Sequence, residues 1–286
     1  MQIQNGQVNL NVVVDGDDSA PPVLVLHGIL GSTVTWDWLV PHLVDRYRVI
    51  RLDFRGHGKS DRAPGTYEAD GWISDAATAC REVAGAPCLV IGHSLGGGTA
   101  AGLAQRHPEL VRGIALEDPA LGFLPRTDGS SPLEGNSLLD AFRLMRESIP
   151  QLQASGLTAE MLTPILAAAP GPTGQIFGET MHPDAIAAMA ASMLSVDATV
   201  LDPVLSGTVP NLMDLQAPIT VPTLIVAADP SSPDCVARPE VTDIVQRTSP
   251  QVQVTALPGA SHLIHDDLVQ RDLFRDLVVD FLAGVA

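Results

Sequence analysis

The 286-residue chain has no apolar run near the ~20 residues that a membrane-spanning helix needs. Its longest runs, residues 23–26 and 224–228, are the size of single strands. Residues 1–14 are polar and alternating, without the basic start and continuous apolar core of a secretion signal, so a soluble, cytoplasmic protein is expected. Basic residues are scarce. Sixteen Lys plus Arg stand against 33 Asp plus Glu, giving a formal net charge of −17, a field that repels phosphate backbones and anionic lipid headgroups. Neither nucleic acid nor a membrane surface is an expected partner. The three cysteines, Cys80, Cys88 and Cys235, are odd in number and lack metal-type spacing, which points to reduced thiols acting as small hydrophobes. Low-complexity tracts and internal repeats are missing too. What is present, 45% hydrophobic and 17% charged residues, describes a packed chain of one large domain, or one domain carrying an insertion.

Short β-branched runs alternate with helical stretches over the first 120 residues, the pattern of a parallel sheet with crossover helices. Residues 8–14 alternate and read as an edge strand. Residues 23–26, 49–52, 88–91 and 113–116 are continuously apolar, as strands covered on both faces should be. Helices are expected over 35–45, 68–83 and 97–106. After Pro119 the alternation stops. A loop rich in Gly, Pro and Ser (122–136) leads into helical segments at 137–153, 158–168 and 184–194. From residue 218 the alternation resumes, with strands at 223–228 and 252–257 and helices at 238–248 and 272–282. Residues 1–120 and 217–286 thus form the core, and 121–216 a mostly helical lid inserted into it.

Gly92-His93-Ser94-Leu95-Gly96 follows one of these strands directly and opens the helix that begins Gly97-Gly98-Thr99. A serine on so tight a strand-to-helix turn sits in strained backbone, and the residues two before and two after it must be tiny because chains pass within contact there. The turn places the hydroxyl at the carboxyl end of a parallel sheet and aims the first helical amides at it.

With these residues the chain resembles the α/β-hydrolase superfamily, and the resemblance covers nearly all of it except the lid. Leu26-His27-Gly28-Ile29-Leu30-Gly31-Ser32 is similar to that family's oxyanion loop. Asp53-Phe54-Arg55-Gly56-His57-Gly58-Lys59-Ser60 looks like its loop after the fourth strand, and Pro258-Gly259-Ala260-Ser261-His262 like its histidine loop. The resemblance implies a mostly parallel eight-stranded sheet with flanking helices and an inserted helical cap. It makes Ser94 the nucleophile and His262 its base, with the backbone N–H groups of Ile29 and Leu95 as oxyanion donors. His27 would tie loops together, His57 recurs in the family without catalysing, and His93 and His265 would pack or line the pocket. No grouping of the eight histidines has zinc spacing, and neither metal nor cofactor is expected.

The acid of the triad has four candidates. Most relatives carry an aspartate about three residues past the strand at 223–228, and here that position is Ser231. Asp229 precedes the slot and Asp234 follows it. The superfamily's other location, after the sixth strand, holds Glu117 and Asp118; Asp118, 24 residues beyond Ser94, matches the dehalogenase-like relatives and the zearalenone-type lactonases and is favoured. Glu117, Asp229 and Asp234 remain alternatives.

A serine nucleophile implies acyl transfer, so hydrolysis of a carboxylic ester or lactone is expected. Haloalkane dehalogenases and epoxide hydrolases need an aspartate at position 94, and the latter also need lid tyrosines, whereas Tyr47 and Tyr67 both lie outside the lid. Methionines and alanines in the lid suggest a roomy apolar pocket for a small hydrophobic substrate. Two alternatives share the same residues: a carbon–carbon bond hydrolase, which would call for a lid-facing arginine such as Arg143 or Arg146, and a receptor-like protein with little turnover. Oligomeric state is not legible in the sequence.

Overall fold

The computed structural model describes residues 1–122, 135–207 and 212–285. Eight strands form one sheet: β1 (Gln2–Asn5), β2 (Val8–Asp15), β3 (Pro22–Leu26), β4 (Arg48–Leu52), β5 (Cys88–His93), β6 (Val111–Glu117), β7 (Thr223–Ala227) and β8 (Val252–Ala256). Their order is β1-β2-β4-β3-β5-β6-β7-β8, antiparallel across β1, β2 and β4 and parallel from there on. The strand expected at the edge, residues 8–14, is second from it. The amino-terminal β1, too short and polar to announce itself, lies outside.

The continuous apolar runs have the explanation expected of them, because side chains alternate between two buried faces. Leu24, Leu26, Ile50, Val90 and Ile114 point into one core layer, while Val23, Val25, Val49, Leu89 and Ile91 point into the other. The first layer is closed by α1 (Ala69–Ala79) and α2 (Leu95–Arg106), the second by Trp36, Leu39 and Leu43 together with the carboxyl-terminal helix. The helix expected over 35–45 does not form. Two 3₁₀ turns, Thr33–Trp36 and Val40–His42, stand in its place, because Pro41 lacks the N–H that a continuing helix requires.

Between β6 and β7 the chain leaves the sheet as α3 (Ser137–Ala154), α4 (Ala159–Ala167), the short α5 (Phe177–Thr180), α6 (Pro183–Ser195) and the short α7 (Asp202–Leu205). It returns as β7, α8 (Pro239–Thr248), β8 and α9 (Arg271–Val285). The Gly/Pro/Ser loop expected at 122–136 falls mostly outside the described residues. Residues 170–174 make a tight turn, closed by the Gly174 amide on the Gly171 carbonyl at 2.9 Å. Among the described residues, no single helix is long and apolar enough to cross a membrane.

Candidate active site

β5 delivers Ser94 to the carboxyl edge of the sheet at φ 52° and ψ −111°, a left-handed conformation that costs a non-glycine residue of order 1–3 kcal/mol. The surrounding chain enforces it. The Ser94 amide donates to the Glu117 carbonyl at 2.9 Å, and the Ser94 carbonyl accepts from Gly98 and Ala120 at 2.9 and 3.0 Å. A Cβ on Gly92 would come within 2.4 Å of the Gly96 carbonyl oxygen, and one on Gly96 within 2.4 Å of the Leu26 carbonyl oxygen, so only hydrogen fits at either position.

Asp118 is the neighbouring strand's counterpart. It also has positive φ, 33°, and its amide donates to the Val226 carbonyl at 2.8 Å. Its fully buried carboxylate accepts from the backbone amides of Ala228 (3.2 Å), Val236 (2.9 Å) and Ala237 (3.0 Å) and lies near the Cys235 thiol at 3.9 Å. Burial, with the Asp118 charge beside it, pushes that thiol up to about 12, so it keeps its proton. The remaining bond of the carboxylate is to His262: Nδ1 stands 2.6 Å from Asp118 Oδ2. The contact fixes the proton on Nδ1 and leaves Nε2 as the basic nitrogen. Burial alone would lower the proton affinity of His262, but the hydrogen bond and charge of Asp118, with Asp234 and Glu117 farther off, raise it above the ordinary value.

The other candidate acids stand elsewhere. Asp229 accepts from the Gly259 amide at 2.7 Å and from both the amide and hydroxyl of Ser231, bonds that hold it down at about 2. Asp234 accepts from the Ser232 hydroxyl. Neither is hydrogen-bonded to His262. Glu117 takes a different histidine: its carboxylate faces Nδ1 of His265 at 2.8 and 2.9 Å and accepts from the His265 amide at 2.8 Å. The sequence reading has His265 packing or lining the pocket, and it does border the cleft, but that reading misses this second pair. Its signal was the duplicated pattern itself, two adjacent carboxylates at a strand end and two histidines three apart.

Ser94 and His262 border one cleft of about 820 Å³, open solvent included. The Ser94 hydroxyl makes no hydrogen bond to a described residue, a looseness common before substrate closes a site. Ile29 borders the cleft as well. Leu95 does not; it opens α2, where a helix carries unpaired amides. Leu138, Phe142 and Met145 of α3 and Met189, Ser192 and Met193 of α6 supply the far wall. No arginine or lysine is among the described lining residues. Arg143 lies beside Asp140 at 2.7 Å, and Arg146 is bound to Asp202 at 2.5 and 3.2 Å.

The other buried histidines hold loops. His27 Nδ1 meets the Gly28 carbonyl at 2.8 Å and Nε2 accepts from the Phe54 amide at 3.1 Å. His57 spans the Arg55 carbonyl and the Leu30 amide, and burial pushes it down to about 3. His93 donates from Nε2 to the His262 carbonyl at 3.1 Å. One ligand atom each from His93, Glu117 and His265 falls within 4.8 Å of the others; the Glu117 carboxylate is engaged by His265 Nδ1 and the His265 amide, and His93 Nε2 by the His262 carbonyl.

A family model described as the alpha/beta hydrolase fold matches residues 21–168. The chain is 29% identical over 276 residues to sn-1-specific diacylglycerol lipase ABHD11 of Mus musculus, spanning 95% of this chain and 84% of that protein. It is 27% identical over 269 residues to 2-(acetamidomethylene)succinate hydrolase of Mesorhizobium japonicum, spanning 93% and 89%. The crystal structure of E-2-(acetamidomethylene)succinate hydrolase superimposes with a TM-score of 0.73 at 24% identity, covering 99% of this chain and 98% of the other. At that identity the likeness concerns the fold.

Proposed function

The chain belongs to the alpha/beta hydrolase fold family, and we propose that it is a serine hydrolase of neutral, hydrophobic carboxylic esters or lactones. One observation carries the reading: a hydroxyl on a strained turn, Ser94, and a carboxylate-backed imidazole, His262, open on the same cleft. His262 Nε2 takes the Ser94 proton as Oγ attacks the ester carbonyl, and Asp118 stabilises the imidazolium that results. The amides of Ile29 and Leu95 receive the oxyanion. His262 then returns the proton to the departing alcohol, and water, activated by the same ring, releases the acid.

The substrate class follows from the walls. α3 and α6, which lie between β6 and β7, offer mostly aliphatic and thioether surface and would act as a lid over the cleft. The carbon–carbon reading asks for a lid-facing arginine to hold a substrate carboxylate, and the described lining residues include no arginine or lysine. By their names, the lipase relative acts on diacylglycerol, a neutral ester, and the succinate hydrolase on a carboxylate-bearing amide. The lining is in keeping with the former.

p-Nitrophenyl esters of two to twelve carbons test the reading beside Ser94→Ala. The expected result is turnover of medium-chain esters by the wild type and a loss of about 10³-fold or more in the variant. Equal release by both proteins would end it. Cleavage of vinylogous diketone acids but not esters would favour the carbon–carbon alternative, and tight ligand binding with negligible turnover the receptor-like one.

A further inference from the structure

The cleft has a second polar edge that Ser94, His262 and Asp118 do not use. His265 and Asp266 both border it, on the 3₁₀ turn Ile264–Asp266 that follows the His262 loop. His265 is fixed from three sides: Trp36 stacks on its ring at 4.6 Å, His93 meets it edge-on at 4.9 Å, and Glu117 engages Nδ1. With the Nδ1 proton given to Glu117, chemistry at this ring is left to Nε2. That atom is buried and has no hydrogen-bond partner. It lies 3.2 Å from Asp266 Oδ1, off the axis a hydrogen bond would need. Arg271, the nearby cation, binds the His265 carbonyl through Nε and Asp184 through Nη1, and its Nη2 is buried without a hydrogen-bond partner.

A bare imidazole nitrogen against a carboxylate oxygen sets lone pair against lone pair, so a proton must be kept between them. The environment agrees. Burial lowers the affinity of His265, but Asp266 and Glu117 raise it beyond the ordinary value; burial likewise raises Asp266. The pair therefore presents one donor and one acceptor side by side, in a wall that is otherwise largely apolar.

We propose that His265 and Asp266 form a recognition subsite for a hydroxyl group of the substrate. A hydroxyl accepts from Nε2–H and donates to the Asp266 carboxylate through one oxygen atom, which suits two partners 3.2 Å apart. A plain hydrocarbon chain leaves both groups unpaired. The preferred substrates are then hydrophobic esters or lactones that carry a free hydroxyl. This assignment rests on the ester reading above for what is cleaved, but the subsite itself can be read from binding alone.

The test compares p-nitrophenyl decanoate with decanoates hydroxylated at successive carbons. At one or more positions the hydroxyl should raise kcat/KM about tenfold or more, mainly through KM. The ratio of hydroxylated to parent ester should fall to near one in Asp266→Ala and keep an intermediate value in Asp266→Asn, whose amide still offers an acceptor. A purely structural role for Asp266 would slow both esters alike and leave the ratio standing. No preference at any position, or a preference surviving Asp266→Ala, overturns the subsite. If no decanoate is hydrolysed, the ester reading fails by itself, and tryptophan fluorescence of Ser94→Ala titrated with the matching methyl esters still decides the subsite. About tenfold tighter binding of a hydroxylated ester, lost on adding Asp266→Ala, supports it, and equal affinity across the set overturns it.

Discussion

Asp118 engages three backbone amides before the His262 ring is counted, and this supports it as the carboxylate of the proposed triad. An acid left charged in a buried place needs such donors, and the Glu117 carboxylate finds its donors on His265 rather than on His262. Asp118→Asn should therefore cost about 10³- to 10⁴-fold in kcat, as loss of the orienting acid does elsewhere, while Asp229→Asn should stay within a few-fold of wild type. The pH profile gives a second readout. The proposed reaction needs neutral His262, whose proton affinity Asp118 raises, so in the wild type kcat/KM should fall off as pH drops through a value above the ordinary 6.5. In Asp118→Asn that acidic limb should move to lower pH. The same sign governs stability: the imidazolium–carboxylate attraction is fully present below about pH 6.5 and fades as pH climbs through the raised folded value. Ser94 and His262 are legible in the letters because a strained elbow and a terminal-strand histidine impose local residue types. Among the four acids the letters only favour Asp118 by its family position, because its contacts depend on amides 110 to 119 positions away in sequence.

At the scale of elements, the insertion is fastened where it meets the loops that border the cleft. Arg271 at the start of α9 binds both carboxylate oxygens of Asp184 in α6 at 2.9 Å, the His182 amide donates to the Asp266 carbonyl at 2.8 Å, and the Ser192 hydroxyl meets that of Ser32 at 2.7 Å. Tyr67 adds a bond to Asp197 at 2.7 Å. Because Asp184 is half exposed, its ion pair contributes modestly, up to about 1 kcal/mol. Asp184→Ala should leave the melting temperature within a few degrees of wild type but hasten limited proteolysis of residues 135–207; unchanged cleavage would show that Arg271 does not fasten α6. Helix periods in the sequence locate α3, α4 and α6, whereas this fastening is invisible there, since each bond joins segments tens of residues apart. The failed helix at 35–45 teaches the reverse lesson: Pro41 was a local signal that outweighed a helical apolar pattern.

At the scale of the whole molecule, the −17 charge and a cleft edged by Asp266, with Glu117 and Asp118 buried behind it, act in one direction. An anionic substrate is repelled on approach and finds no arginine or lysine among the described lining residues. p-Nitrophenyl hemisuccinate should therefore be turned over at least about tenfold more slowly than the neutral butyrate, with the gap narrowing as salt screens the field. Equal rates at low salt would show that the acidic surroundings do not select. Sheet and crossover helices could be read from alternation and apolar runs, because a parallel sheet writes its two-sided burial directly into residue type. The outermost strand could not, since β1 has one partner and little to bury.

One consequence follows from the way the loop after β7 holds Asp118. It contributes N–H groups of Ala228, Val236 and Ala237 and no side chain other than the distant thiol of Cys235. Such a cradle asks for a path of the main chain and leaves the letters along it open to drift. Ser231, at the position where the family resemblance would put an aspartate, bonds to Asp229. The protein thus carries an unused berth for a migrating carboxylate, and Ser231→Asp placed on the crippled Asp118→Asn background should recover part of the lost rate.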